Sequence, residues 1–378
     1  MIPLSIPHLA GNEWQYVKEC LDTGWVSTAG AYVTRFEEEI AAVTGSKRAI
    51  SCMNGTAALH ACLRTLGAGP GDYVIAPNIT FVATLNAISY TGAETILIDT
   101  DPDSYQMDLD VLEAFLGDEA RVQGKELRSK MGDRRIVACM PVHVLGNMCD
   151  MDRLTALCER YHLPIVEDST EALGATFNGK HAGTFGTFGT SSFNGNKIIT
   201  TGGGGMIFTQ DDQLADRVKH LTTTAKTDPM DYFHDEVGYN YRLVNVLAAI
   251  GVAQLEQLPD IIERKKFMDA YYREHLEGVG DIRFQKITPG VDPNCWLFTF
   301  RTERMRELLA YLNANGVQSR PFWTPMNQLP MYKHFRYVHN DDHSTSLHRT
   351  AISIPSSSGL TEEQLAEVVA TIREFYKE

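Results

Sequence analysis

The 378-residue chain has few of the features that assign function at sight. Its seven cysteines (Cys20, Cys52, Cys62, Cys139, Cys149, Cys158 and Cys295) are odd in number, scattered, and never in CxxC or another metal-ligand spacing. Neither a disulfide framework nor a zinc centre is expected from them. The twelve histidines include no HExxH, so no metal site is expected. Positive charge is scarce: 34 Lys and Arg stand against 48 Asp and Glu, a formal net charge of −14. That balance argues against a surface that coats nucleic acid, and it leaves anion binding to a local site. No apolar run reaches eighteen residues, and the N-terminal MIPLSIPHLAGNEW has no basic flank before an apolar core. A membrane protein and a secretory leader are therefore not expected, and cytoplasmic residence is. There is no internal repeat and no low-complexity tract.

What is present is an ordinary globular mix, 43% hydrophobic and 22% charged, which excludes a disordered chain. The length suggests two domains, or a large one with a smaller appendage. Apolar periodicity and turn residues predict helices over 11–24 and 34–44, then an alternation. Strands are expected at 48–51, 73–77, 95–98, 136–144 and 164–168, with helices at 55–66, 81–90 and 151–161 between them. Such alternation implies parallel βαβ units and a sheet covered on both faces, with a site at the carboxyl ends of its strands. A long helical stretch over 243–277, broken at Pro259, precedes a strand at 298–301, a helix at 305–315, a strand at 318–321 and a closing helix at 361–376. The shift in pattern predicts a large α/β domain over 1–255 and a small α+β domain over 256–378.

Lys197 lies in SSFNGNKIITTGGGG (191–205), between an apolar strand and four glycines, where a solvated face is hard to build. A partly buried amine gives up its proton readily and can attack a carbonyl. A lysine snorkelling from a strand end is the plainer reading of such a residue alone. Asp168 ends the apolar strand LPIVED, and a buried acid there needs a positive partner, such as a protonated pyridine nitrogen; its plainer role is the N-cap of a helix from Thr170. The segment NGTAA (54–58) joins a strand end to a helix start, so its amides and the Thr56 hydroxyl suit a phosphate, or else they simply cap the helix. Ser192 and Asn240 offer further phosphate hydrogen bonds, and Phe81 an aromatic face for stacking. GTFGTFGT (183–190) imitates a nucleotide loop but lacks the P-loop lysine and a following helix, and reads as a turn.

Taken in order, NGTAALHACL (54–63), PNITFVAT (77–84), PVHVLG (141–146), EDSTEALGA (167–175), SFNGNKIITTGGGG (192–205) and GYNYRL (238–243) resemble the DegT/StrS family of sugar aminotransferases over nearly the full chain. The resemblance implies the pyridoxal phosphate-dependent fold type I, aspartate-aminotransferase-like, with a large, mostly parallel mixed sheet and a small C-terminal α+β domain. It implies pyridoxal 5'-phosphate as cofactor, with Lys197 forming its Schiff base and moving the proton, Asp168 pairing with the pyridine nitrogen and Phe81 stacking on the ring. Gly55, Thr56, Ala57 and Ser192 would hold the phosphate, and Asn240 would reach the phosphate of a neighbouring subunit, making a homodimer with a shared active site. Many relatives have glutamine where this chain has Glu171, so either that acid has a raised pKa or the cofactor's phenolic oxygen keeps a proton. Trp25, Ser27, His143, Arg242 and Trp323 are candidate substrate contacts, together with Asn327. The phrases IPLSIPHLAGNE, CLDTGWVS and SFNGNKIITTGGGGMI are most similar to the subgroup that aminates UDP-4-keto-6-deoxy-N-acetylglucosamine. The implied partners are thus a nucleotide sugar and an amino-acid donor, probed against two alternatives. A sugar dehydratase of this fold carries histidine in place of Lys197, and a non-catalytic regulator would lack part of the set.

Overall fold

Strands Tyr73–Pro77, Glu94–Ile98 and Arg135–Cys139 run parallel side by side. Val166–Asp168 continues the surface through parallel bridges from Cys139 to Ile165 and from Val142 to Asp168. Phe188–Ser192 pairs parallel with it, and Gly205–Thr209 runs antiparallel between Phe188–Ser192 and Arg48–Cys52. The result is the mixed, largely parallel sheet expected of the fold. The computed structural model describes residues 1–228 and 230–377.

The central strands are apolar at nearly every position because both faces are covered. Tyr73 and Ile75 pack with Leu112, Phe115 and Leu154, whereas Val74 and Ala76 pack with Leu59, Leu63 and Leu85 on the opposite side. Successive side chains point to opposite faces, so such a strand is stable only between two helical layers. Burying each leucine of those layers contributes about 1.5–3 kcal/mol. The helix Gly55–Thr65 supplies Leu59 and Leu63, and Asn54 caps it by accepting from the Ala57 amide at 2.8 Å.

Most of the expected elements form within one to three residues of the expected limits. The strand expected over 136–144 ends at Cys139, since Pro141 has no N–H for a ladder, and the chain then turns through Val144–Gly146 with Leu145 at φ 60°. No helix starts at Thr170; Asp168 accepts from the Thr170 amide at 3.3 Å at the head of a short turn instead. Sequence periodicity did not predict the helix Leu109–Glu119, the hairpin of Ala120–Gln123 with Glu126–Ser129, or the edge strand Arg336–Val338.

Met268, Tyr272, Phe300, Leu308, Leu312, Ile352 and Ile372 form a core separate from the sheet's, which Ile2 joins from the start of the chain. On the ground of this second core we propose the division of the chain between residues 255 and 256, at the junction of helices Asn245–Glu256 and Leu258–Leu276. Two strands cross that division: Arg336–Val338 pairs with Glu94–Ile98, and Val291–Asp292 with Thr176–Phe177. No helix among the described residues is long and apolar enough to cross a membrane.

Candidate active site

A cavity of about 670 Å³ opens at the carboxyl ends of the parallel strands, where the second core meets the sheet. Asn54, Gly55, Thr56 and Ser192 line one end, Asp168 and Glu171 the floor, and Lys197 one wall. Phe81 and Trp323 add aromatic faces.

The phosphate-sized end is built by a close backbone approach. A Cβ on Gly205 would lie 2.5 Å from the carbonyl carbon and oxygen of Asn54, so only glycine lets the 54–55 turn seat against that strand. The Ala57 and Ala58 amides are already taken by the Asn54 side chain and carbonyl. That leaves Gly55 and Thr56 as the first-turn amides without an intrahelical acceptor, at the positive end of the helix dipole. Ala57 does not line the cavity, which corrects the expectation that its amide serves as a free donor.

Asp168 is buried, and each of its oxygens accepts from a hydroxyl: Thr84 Oγ1 to Oδ2 and Thr170 Oγ1 to Oδ1, both at 2.7 Å. Its neighbour Glu167 points the other way. The Glu167 carboxylate accepts the amides of Gly183, Phe185 and Gly186 at 2.6–2.7 Å and contacts His143 Nε2 at 2.9 Å. The glycine-rich turn therefore cradles an internal carboxylate, with its amides presented as a nest. A Cβ on Gly189 would lie 2.0 Å from the Gly183 carbonyl oxygen, which accounts for the third glycine of that repeat.

Lys197 is mostly buried, its Nζ 3.5 Å from Glu171 Oε1 and 4.3 Å from the centre of the Trp296 ring. The indole N–H of Trp296 donates to the Asn196 carbonyl at 2.7 Å, which holds the ring beside the lysine. Glu171 also accepts from the Leu145 amide at 3.0 Å. Burial pushes its pKa up to about 7, against the pull of Lys197 and of that amide. The first of the two options posed by the glutamate, a raised pKa, is the one the surroundings produce.

The structure does not bring every candidate to the cavity. His143 is fully buried against Glu167, so the expectation that it contacts substrate is corrected. Asn327 is tied to Asn78 through its backbone amide and side chain. Trp25 is exposed beside a separate, shallow hollow lined by Glu19, Cys20, Tyr32 and Asn245. Ser27 gives its carbonyl to the Asn245 amide at 2.6 Å. Asn240 and Arg242 lie outside the cavity and bond to each other at 3.1 Å. Conversely, Trp296, Thr84, Leu4 and Arg320 line the cavity and were not singled out in the sequence. Their signal is weak because they come from segments distant in sequence and carry no spacing of their own.

The chain matches the sequence profile described as the DegT/DnrJ/EryC1/StrS aminotransferase family over residues 7–373. It is 37% identical to GDP-perosamine synthase of Caulobacter vibrioides over 98% of this chain and 97% of that one. It is 31% identical to the UDP-N-acetyl-3-dehydro-alpha-D-glucosamine 3-aminotransferase of Acidithiobacillus ferrooxidans, covering 89% of this chain and 86% of that one. The crystal structure of a DegT/DnrJ/EryC1/StrS aminotransferase from Brucella abortus superposes with a TM-score of 0.89 at 29% identity, covering 97% of this chain and 96% of that one.

Proposed function

This chain belongs to the DegT/DnrJ/EryC1/StrS aminotransferase family, and we propose that it moves an amino group from L-glutamate to C-4 of a nucleotide-linked 4-keto-6-deoxy sugar. The family acts on sugars and is pyridoxal phosphate-dependent. The observation that carries the reading is the convergence of Lys197, Glu171 and Asp168 on one cavity that ends at a helix N-terminus.

The residues present fit the cofactor. Gly55 and Thr56, with Ser192, would hold its phosphate, because their end of the cavity offers free amides and a hydroxyl to a dianion. Asp168 would face its ring nitrogen, and Phe81 offers a half-exposed aromatic face for stacking. When bound, pyridoxal phosphate supplies a carbonyl that exchanges amines and a ring that takes up electron density from the reacting carbon.

The chain's own groups do the rest. Two hydroxyls hold the Asp168 carboxylate as an acceptor for a positive partner, which stabilises charge that develops during reaction. Lys197 Nζ moves a proton to and from the reacting carbon, and Glu171 beside it takes or returns a proton near neutral pH. Trp296 covers one side of the amine and restricts water there. Donor and acceptor use the same cavity in turn, so ping-pong kinetics are expected.

The sequence phrases favour UDP-4-keto-6-deoxy-N-acetylglucosamine as acceptor, while the name GDP-perosamine synthase of the 37% identical relative favours a GDP-linked sugar. Both carry a diphosphate. A homodimer with a shared site is part of the proposal: Asn240 and Arg242 stand outside the cavity, and Trp14, Trp25 and Tyr90 are exposed aromatic side chains that a second copy would cover. Incubating the enzyme with glutamate and UDP-, GDP- or dTDP-linked 4-keto-6-deoxy sugars should give an amino sugar from one series, with no product from Lys197→Ala. If the wild type aminates none of them, the proposed reaction is wrong.

A further inference from the structure

Two cations line the cavity, Lys197 and Arg320. They differ in their surroundings. Lys197 faces a carboxylate, whereas Arg320 has no acid within salt-bridge reach among the described residues and bonds only the carbonyl of its neighbour Ser319, at 3.3 Å. By contrast, Arg35, Arg128, Arg134, Arg135, Arg153 and Arg217 each hold at least one carboxylate.

The backbone under Arg320 is fixed. Its strand, Arg320–Pro321, pairs with Ala351–Ser353, and Arg320 stands opposite Ser353, which also lines the cavity. One residue before, the Ser319 amide and carbonyl bond the Asn313 side chain, both at 3.2 Å. The guanidinium is therefore carried on a set base, with donors left over beyond the one that Nη1 gives to the Ser319 carbonyl. It is exposed, so it stands toward the mouth and not on the buried floor with Asp168 and Glu171.

Position decides which anion such a group would meet. An amino donor carries its carboxylate on the reacting carbon, which must come to Lys197 deep in the cavity. A nucleotide sugar carries its diphosphate on C-1, across the ring from C-4, so the diphosphate lies outward when C-4 is at the lysine. A planar guanidinium with paired N–H donors matches phosphate oxygens two at a time.

We propose that Arg320 is a specificity-determining residue that grips the diphosphate of the acceptor nucleotide at the cavity mouth, where among the described residues it is the lining cation without a carboxylate partner. This rests on the reading of the acceptor as a nucleotide-linked sugar. Arg320 then favours the nucleotide-linked sugar over the free keto sugar and holds the ring with its carbonyl carbon inward.

Titrating UDP and, separately, GDP into the holoenzyme by calorimetry tests this. Arg320→Met should weaken the better-bound nucleotide about tenfold or more, and Arg320→Lys should recover part of the loss. Arg306→Met, which removes the same charge from the exposed face of the helix Met305–Ala314, should bind as the wild type does. Wild-type affinity should also fall more steeply with salt than that of Arg320→Met. Equal nucleotide affinity in Arg320→Met and wild type would overturn the assignment. So would a raised KM for glutamate with nucleotide affinity retained, which would make Arg320 a donor-carboxylate residue. If the wild type binds neither UDP nor GDP, the nucleotide-sugar reading itself fails, an outcome distinct from a failure of Arg320 alone.

Discussion

Thr84 Oγ1 lies 2.7 Å from Asp168 Oδ2, and both side chains are buried. The threonine comes from the helix Ala83–Tyr90 and the aspartate from the strand Val166–Asp168, so this bond aligns the acid from across the sheet. Removing the hydroxyl leaves one carboxylate oxygen without that donor.

Thr84→Val is accordingly expected to destabilise the protein by about 1–3 kcal/mol and to lower the rate through Asp168. Asp168→Asn keeps the shape and removes the charge, and should lower kcat by about 10²-fold or more. Denaturant melts and steady-state rates on both variants check the pair. A Thr84→Val rate loss as large as that of Asp168→Asn would mean the threonine does more than align.

Lys197→Ala should bind pyridoxal phosphate without a covalent link, and its rate should fall by about 10³-fold or more. Borohydride reduction followed by peptide mass spectrometry should locate the cofactor on Lys197 in the wild type only. The same adduct in the variant would remove this lysine from the chemistry.

Glu171 is expected to lose its proton near pH 7 in place of the usual carboxylate range. Its folded pKa lies above the unfolded one, so the unfolded chain releases the proton first as pH rises. Stability contributed by the neutral acid is thus full below about pH 4.5 and is lost as pH climbs to about 7, by on the order of 3 kcal/mol. Denaturation midpoints of the apoprotein from pH 5 to 8 should show this slope, and Glu171→Gln should flatten it. An unchanged slope in the variant would place the titration elsewhere.

Gly205→Ala forces a methyl group into the Asn54 carbonyl. Overpacking of this kind costs about 1–3 kcal/mol, and here it should also displace the 54–55 turn. Weaker retention of pyridoxal phosphate on gel filtration, at a temperature where the fold persists, is the expected result. Full retention would mean that the strand moves and the turn does not.

The dimer proposal has its own test. Mixed Lys197→Ala and Asn240→Ala subunits, each inactive alone, should recover roughly a quarter of wild-type activity after exchange if Asn240 serves the partner's site. No recovery would confine Asn240 to its own subunit.

Much of the large sheet was legible in the sequence, because buried parallel strands are local patterns; Lys197 and Asp168 stood out by their place at strand ends and both line the cavity, whereas the helix cap expected of Asp168 does not form. Glu171 was legible as a departure, and its burial beside Lys197 explains the consequence. What was not legible depended on contacts between distant segments. His143 lies in the same strand-end loop as Val142 and Leu145, which line the cavity, yet its ring turns inward to Glu167. Trp296 and Arg320 reach the cavity from the far third of the chain, and only the packing of the second core on the sheet brings them there. The hairpin at 120–129 and the edge strand at 336–338 are short, and pairing with the sheet, more than their own propensity, decides them.

The nest around Glu167 bears on more than that one acid. Glu167 and Asp168 are adjacent in a strand, so one must face the nest and the other the cavity, and a slip of a single residue would exchange them. The longer glutamate would then enter the cavity, while aspartate would fall short of the three amides. The glycine-rich turn thus serves as a key for strand registration: by accepting only the residue before Asp168, it selects which of two neighbouring carboxylates faces the chemistry.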